Sequence, residues 1–225
     1  MKEFRMIHTR TERDAGLMAT ATRREFVAGV TALFATAILP LPAFAAVQAS
    51  DAAQKIADHF SSVKTMMGEF VQFGPRGEQT GGKFFIERPG KLRFNYEKPS
   101  PLRVISDGKN VVIGNTKLKT WDLYPLSKTP LSLLLSDKID LGNQMVRDVK
   151  EETDLTTIVL GDKTIFGDST ITLMFDPKSF ELRQWTITDV QAKDTSVMIF
   201  NVKTGTAFDP SVFEIPYAEV HSPKR

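Results

Sequence analysis

Between Gly82 and Tyr96 the chain reads GKFFIERPGKLRFNY, two alternating apolar and polar runs joined by an Arg-Pro-Gly turn. A period of two puts successive side chains on opposite faces of a strand. Phe84, Ile86 and Arg88 therefore share one face, and Lys83, Phe85 and Glu87 the other. In the second run Leu92, Phe94 and Tyr96 oppose Lys91, Arg93, Asn95 and Glu97. Such a segment dictates an antiparallel hairpin with one bulky apolar face and a single arginine at the end of that face.

The same period governs most of the chain. Runs at 69–73, 79–87, 91–97, 102–106, 110–113 and 118–123 read as strands, separated by Gly-Pro, Arg-Pro-Gly, Lys-Pro-Ser-Pro and Asp-Gly turn signals. Further strands are expected at 145–151, 155–160, 170–175, 182–190 and 196–202, with Asp176-Pro177-Lys178-Ser179 as a reverse turn. Short connections favour an antiparallel meander. Gly81-Gly82 reads as strand curvature or a bulge.

Two segments depart from that period. Over 52–67, Ile56, Phe60, Val63 and Met67 recur at helical spacing behind Asp51 as N-cap, while Lys55, Asp58, Ser62 and Lys64 form a solvated face. A second helix is expected over 130–136, capped by Thr129 with Pro130 in its first turn. About ten or eleven strands in one sheet must curl or split. The expected fold is mainly β with some α: an incomplete, half-open antiparallel β-barrel whose apolar concave face is covered by these helices.

The N-terminus has a different character. Thr22-Arg23-Arg24-Glu25-Phe26 precedes an apolar run from Val27 to Leu41 and then Pro42-Ala43-Phe44-Ala45-Ala46. A basic n-region, a short apolar core and a small-x-small site define an export signal cleaved after Ala45. The apolar run is too short and too rich in Ala and Thr for a comfortable membrane span. The Arg23-Arg24 pair suits a twin-arginine signal and an ordinary n-region alike. Residues 1–45 are thus read as a signal peptide and 46–225 as a single domain. Six of the 29 Lys and Arg and four of the 27 Asp and Glu fall in residues 1–45, leaving 23 of each beyond. A neutral exported chain lacks the basic excess that nucleic-acid binding draws on.

Catalytic constellations are missing. No cysteine is present, which removes disulfides, thiolate metal sites, a thiol nucleophile and a lipid-attachment cysteine. The three histidines, His8, His59 and His221, are scattered, and no Gly-x-Ser-x-Gly elbow accompanies them. Glu151, Glu152 and Asp154 form an acidic group that reads as a solvated turn rather than an ion site. Ser106-Asp107-Gly108-Lys109 reads as a hairpin corner. On residues alone the apolar hairpin face is ordinary core or the floor of a cavity, and Arg88 either an ion-pair partner of Glu87 or Glu97 or an inward-facing group.

In order along 52–217, Gly82-Lys83-Phe84, Arg88-Pro89-Gly90-Lys91-Leu92-Arg93-Phe94, Tyr96, Pro99, Ser106-Asp107-Gly108-Lys109, Thr129-Pro130-Leu131 and Phe213-Glu214-Ile215-Pro216 resemble the periplasmic outer-membrane lipoprotein carrier (LolA) family. The resemblance implies a non-enzymatic, cofactor-free, monomeric periplasmic shuttle that holds lipoprotein acyl chains under a helical lid. It implies loading by an inner-membrane ABC-type release complex and delivery to an outer-membrane receptor where one exists. It places Phe70, Phe84, Ile86, Phe94, Tyr96, Leu131 and Leu134 in the acyl-chain cavity and Arg88 as the lid latch. Leu92 falls where the family docks its inner-membrane partner. A carrier of another envelope lipid or glycolipid, and a periplasmic lipoprotein-sensing regulator, are the alternatives.

Overall fold

A computed structural model of the chain describes residues 50–141, 145–164 and 167–221. The export signal read from the sequence lies outside the described residues. Eleven strands occur among them: β1 (Thr65–Phe73), β2 (Gln79–Glu87), β3 (Lys91–Tyr96), β4 (Leu102–Asp107), β5 (Asn110–Asn115), β6 (Thr120–Pro125), β7 (Val146–Glu151), β8 (Thr156–Thr164), β9 (Gly167–Phe175), β10 (Leu182–Thr188) and β11 (Asp194–Thr204). All pair antiparallel in a single sheet of order β6-β5-β4-β3-β2-β1-β11-β10-β9-β8-β7. Two meanders, β1–β6 and β7–β11, join where β1 pairs with β11. The outer strands β6 and β7 do not pair with each other, so the barrel is incomplete.

Parity follows the alternation. Ile86 faces Leu92 and Phe84 faces Phe94 across β2 and β3, while Phe70 of β1 stands opposite Ile199 of β11. These side chains join Ile158, Leu173, Phe175 and Trp185 in one apolar core. Two helices close over it, α1 (Asp51–Ser62) and the single turn α2 (Leu131–Leu134). Ala53, Ile56, Ala57 and Phe60 are the buried face of α1.

Both helices are shorter than their periodicity suggests. Ser50 rather than Asp51 caps α1, its hydroxyl accepting from the Ala53 N–H at 3.1 Å. At the other end the carbonyls of Val63 and Lys64 are taken by Arg88, whose side chain and backbone N–H each donate at 2.7 Å. Val63 is consequently the C-cap, and Met67, expected on the helical stripe, lies in β1 opposite Phe85. Thr129 does not cap α2 either, because its hydroxyl turns back to the Leu126 carbonyl at 2.8 Å. The helix ends at once, since the Leu135 carbonyl accepts from the Gly90 N–H at 2.9 Å.

Gly82 is not a bulge: β2 runs in unbroken register with β1 and with β3. Glycine is required there by close approach, because a Cβ would run into the backbone carbonyl of Asn95. The 118–123 strand begins two residues late, at Thr120, because the Asn115 carboxamide accepts from the N–H groups of Lys117 and Leu118 and holds that segment in a turn.

The C-terminal segment covers the other face of β4–β6. Ile215 packs with Ile105, Val112 and Trp121, and α3 (Tyr217–Val220) follows. The Tyr217 hydroxyl donates to Asp107 at 2.7 Å and accepts from the Asn110 amide at 2.9 Å. For the Asp107 carboxyl, burial is the largest single influence and pushes upward. Bonds from the Asn110 N–H, the Tyr217 hydroxyl and the Lys109 N–H together outweigh it and hold the group below its ordinary 3.8. A depressed folded pKa means that the unfolded chain binds more protons, so this stabilisation is complete above 3.8 and is lost as pH falls below it. Melting curves between about pH 5 and 2 should show a shallower acid decline for Asp107→Asn than for the wild type.

Candidate functional site

The candidate site lies where the β2–β3 turn meets the two covering helices. Arg88 leaves the end of β2 and is 5% exposed. Its guanidinium donates to the Val63 carbonyl at 2.7 Å and to the Leu134 carbonyl at 3.2 Å, joining the end of α1 to the end of α2. The same group sits 4.1 Å from the centroid of the Phe60 ring, a cation–π contact that strengthens when water is excluded. Neither acidic partner suggested by the sequence is used. Glu87 instead pairs with Lys91 at 2.6 Å.

Burial pulls the Arg88 pKa down to about 10, with the charge of Asp137 acting in the opposite direction. The group therefore stays cationic at neutral pH. Its Nε is buried and has no hydrogen-bond partner among the described residues. A charge-assisted bond contributes about 1.5–3 kcal/mol, and a buried unpaired donor costs about 1–3 kcal/mol. The unpaired Nε thus offsets roughly one of the two bonds, and the net contribution of the fork is that of about one charge-assisted bond.

Further ties hold the cover down. Ser61, buried on α1, donates to the Ala57 carbonyl at 2.7 Å and accepts from the Ile139 N–H at 3.0 Å. The Gln54 side chain bridges Ile139 and Leu141. Lys64 and Asp137 form an exposed ion pair at 3.1 Å. The Ser61–Ile139, Gln54 and Lys64–Asp137 contacts join α1, or the residues just after it, to the segment after α2 across 73 to 87 residues of sequence, and these ties leave no periodic sequence signal. Ser61 carries one local signal, a polar residue set directly beside Phe60 on a face that is otherwise apolar.

The residues expected to form the cavity are brought together. Phe70, Phe84, Ile86, Phe94 and Leu134 are buried, and Tyr96 and Leu131 pack against them half-buried. Phe70 meets Phe94 at 4.6 Å and Tyr96 at 5.1 Å in edge-to-face contacts. Tyr96 donates to Gln72 at 2.7 Å, and burial raises its pKa despite that bond. Leu92, the residue placed at a partner-docking position, is 0% exposed and belongs to the same core. In this closed arrangement it presents nothing to a partner.

Open space lies to one side. A cavity of about 360 Å³ opens between α1, the start of β1, the β9–β10 turn and β11, walled by Phe60, Val63, Met66, Leu182, Ile199 and Val202. No group of three His, Asp or Glu side chains able to hold a metal ion occurs among the described residues. Glu152 of the acidic group pairs with Lys150 at 2.7 Å.

The sequence model of a protein family described as "Outer membrane lipoprotein carrier protein LolA" matches residues 61–216. An outer-membrane lipoprotein carrier protein from Pseudomonas aeruginosa is 25% identical over 203 residues, covering 83% of this chain and 95% of the relative. Another from Methylococcus capsulatus is 26% identical over 170 residues, covering 71% and 81%. Among solved structures, a LolA-superfamily protein from Nitrosomonas europaea aligns with a TM-score of 0.40 and 8% identity, covering 73% of this chain and 98% of that one. The Pseudomonas aeruginosa MucA/MucB complex gives a TM-score of 0.44 at 12% identity, covering 76% and 62%.

Proposed function

Because the chain belongs to the outer-membrane lipoprotein carrier protein LolA family, a family of carriers rather than enzymes, we propose that it is a periplasmic shuttle for lipoproteins. It takes their acyl chains into the apolar interior beneath α1 and α2. It receives them from an inner-membrane ABC-type release complex and passes them to an outer-membrane receptor. The observation that carries this reading is the Arg88 fork, a buried cation whose two bonds go to the backbone of the covering segments.

The energetics suit that task. At about 0.8 kcal/mol per methylene, a chain of roughly 16 carbons resists entering water by about 12 kcal/mol. A soluble carrier must cover the chain completely, yet must open without a nucleotide of its own. Collapse of Phe70, Phe84 and Phe94 on one another keeps the empty interior dry. The Arg88 bonds go to carbonyls that any residue could supply, so the lid can part without stranding a buried carboxylate. In this closed form partner docking uses surface other than Leu92.

The reading is tested by mixing protein lacking residues 1–45 with a detergent-solubilised triacylated lipoprotein, removing the detergent and fractionating by size. A soluble one-to-one complex is expected, together with no binding of the same lipoprotein lacking its acyl chains. Aggregation of the lipoprotein apart from the protein, or equal binding of the unacylated form, would contradict the proposal. Retention of a co-purified phospholipid or glycolipid in place of lipoprotein would point to another envelope lipid as cargo.

A further inference from the structure

We propose that the back of the β1–β6 meander, together with the tip of the β5–β6 hairpin, is a docking surface for a phospholipid bilayer with anionic headgroups, Leu118 entering the interface between Lys117 and Lys119. The surface lies on the face of the sheet opposite Phe84 and Phe94. It shares no residue with the apolar interior or the Arg88 fork.

Charge is divided unevenly between the two meanders. Residues 65–125 carry ten Lys and Arg against six Asp and Glu, and residues 146–204 carry seven against ten. Part of the basic excess collects on one face. Across β2, β3 and β4, Lys83 stands opposite Asn95 and Asn95 opposite Arg103, all three alternating with core residues Phe84, Phe94 and Val104. Arg93 shares that face and donates to the Asn95 side chain at 2.8 Å and to the Val212 carbonyl at 2.9 Å. Burial lowers its pKa, and the nearness of Arg103 lowers it further. Neither these three cations nor Lys98, Lys117 and Lys119 in the adjoining loops form an ion pair among the described residues. Carboxylates are sparse there. Glu69 borders Lys83 and accepts from the Asn201 amide at 2.9 Å, Glu97 follows β3, and Asp122 lies with Ile113 and Val104 on the other face. Unneutralised cations on neighbouring strands repel one another, and an anionic surface relieves that repulsion.

The apolar element is Leu118. At 67% it is the most exposed large hydrophobic side chain among the described residues. A single exposed leucine is ordinary, but this one stands between two lysines on a tip that is held in place. The Asn115 carboxamide accepts from the Lys117 and Leu118 N–H groups at 3.1 and 2.9 Å. The Thr116 N–H and hydroxyl both donate to the Pro101 carbonyl, at 2.9 and 3.0 Å, which ties the tip to the β3–β4 loop. Lys119 closes the turn with a φ of 52°. A tip already ordered loses little conformational freedom on docking.

These features match a bilayer rather than a folded partner. Binding at a membrane interface draws on buried apolar area and on attraction to anionic lipids together. Lysines suit that boundary, because their methylene stems lie along apolar surface while the ammonium groups stay among the phosphates. A protein pocket for one leucine would need apolar neighbours around it, and here both sequence neighbours are lysines. Attraction of this kind is screened over roughly 8–10 Å at ordinary ionic strength, so it must weaken as salt rises.

Protein lacking residues 1–45 is sedimented with vesicles of phosphatidylcholine, with or without phosphatidylglycerol. The wild type is expected to sediment only with the phosphatidylglycerol vesicles, and less in high salt. Lys117→Glu with Lys119→Glu, and separately Lys83→Glu with Arg103→Glu, should each weaken binding at least about tenfold, since each basic residue near an anionic surface adds roughly fivefold. Leu118→Ser should weaken it about fivefold, and Lys178→Glu in the β9–β10 turn should leave it unchanged. The chain has no cysteine, so Leu118→Cys can carry an environment-sensitive NBD label at that position alone, and its emission should shift to the blue on binding. Wild-type protein that stays in the supernatant, or sediments equally with phosphatidylcholine alone, overturns the proposal. So does wild-type affinity in both charge-reversed proteins once circular dichroism shows them folded. Sedimentation without an emission shift overturns the entry of Leu118. The vesicles hold no lipoprotein, so each result is independent of the carrier reading.

Discussion

Arg88→Leu is expected to fold, to accept lipoprotein, and to release it about 30-fold more slowly than the wild type. Leucine removes both backbone bonds and the Phe60 contact, but it also removes a buried charge and an unpaired Nε. Replacing a buried ionic group by an apolar one of similar volume keeps the fold intact, but the empty protein is the closed form and loses its fastening, so a melting temperature lower by about 4–8 °C is expected. The closed form alone loses its fastening. A net loss of about 2 kcal/mol in that form corresponds to roughly a 30-fold bias toward the open, loaded state, at 1.4 kcal/mol per tenfold. Arg88→Lys should behave more like leucine than arginine, because a compact ammonium does not reproduce a fork that reaches two carbonyls. Transfer of a labelled lipoprotein to liposomes measures the rate. Wild-type release by Arg88→Leu would show that the two bonds are structural decoration.

Phe94→Ala should cost the empty protein about 3–5 kcal/mol, as for a buried phenylalanine whose space does not collapse. Phe94 touches Phe70 at 4.6 Å, Trp185 at 6.0 Å, Tyr96 at 6.2 Å and Phe84 at 6.4 Å, so no neighbour alone can fill the void. At about 2–4 °C per kcal/mol for a domain of this size, the melting temperature should fall by roughly 10 °C. An acyl chain can occupy that void, so bound lipoprotein should raise the melting temperature of Phe94→Ala by more than it raises that of the wild type. Equal increments in the two proteins would make Phe94 ordinary core. Scanning calorimetry with and without lipoprotein separates the two roles.

The strands were largely legible because their signals are local. Alternation and turn residues place β2 at its observed bounds, and Asp107 and Asp176 organise their turns by accepting from the N–H groups two and three residues on. Parity also groups Phe84, Ile86, Phe94 and Arg88 on one face, as they are found. What local pattern could not carry was the cover. Val63 and Met67 fit a helical stripe, but Arg88, 25 residues away, takes the carbonyl that ends the helix. The Ser61–Ile139 and Gln54–Leu141 bonds join positions 78 and 87 residues apart and leave no periodic trace. The free space was equally hidden, because it arises where α1 meets the β9–β10 turn, between segments with no sequence relation.

On the proposed function, α1 and the α2 segment must part for cargo to enter. Lys64 and Asp137 face each other across that seam, both exposed, and the chain contains no cysteine that would compete for a thiol reagent. Joining Lys64→Cys to Asp137→Cys with a short reducible crosslinker pins the seam without touching the interior. The pinned protein should take up no triacylated lipoprotein, and uptake should return on reduction. Loading of the pinned protein at the rate of its reduced form would show that cargo enters without the seam opening.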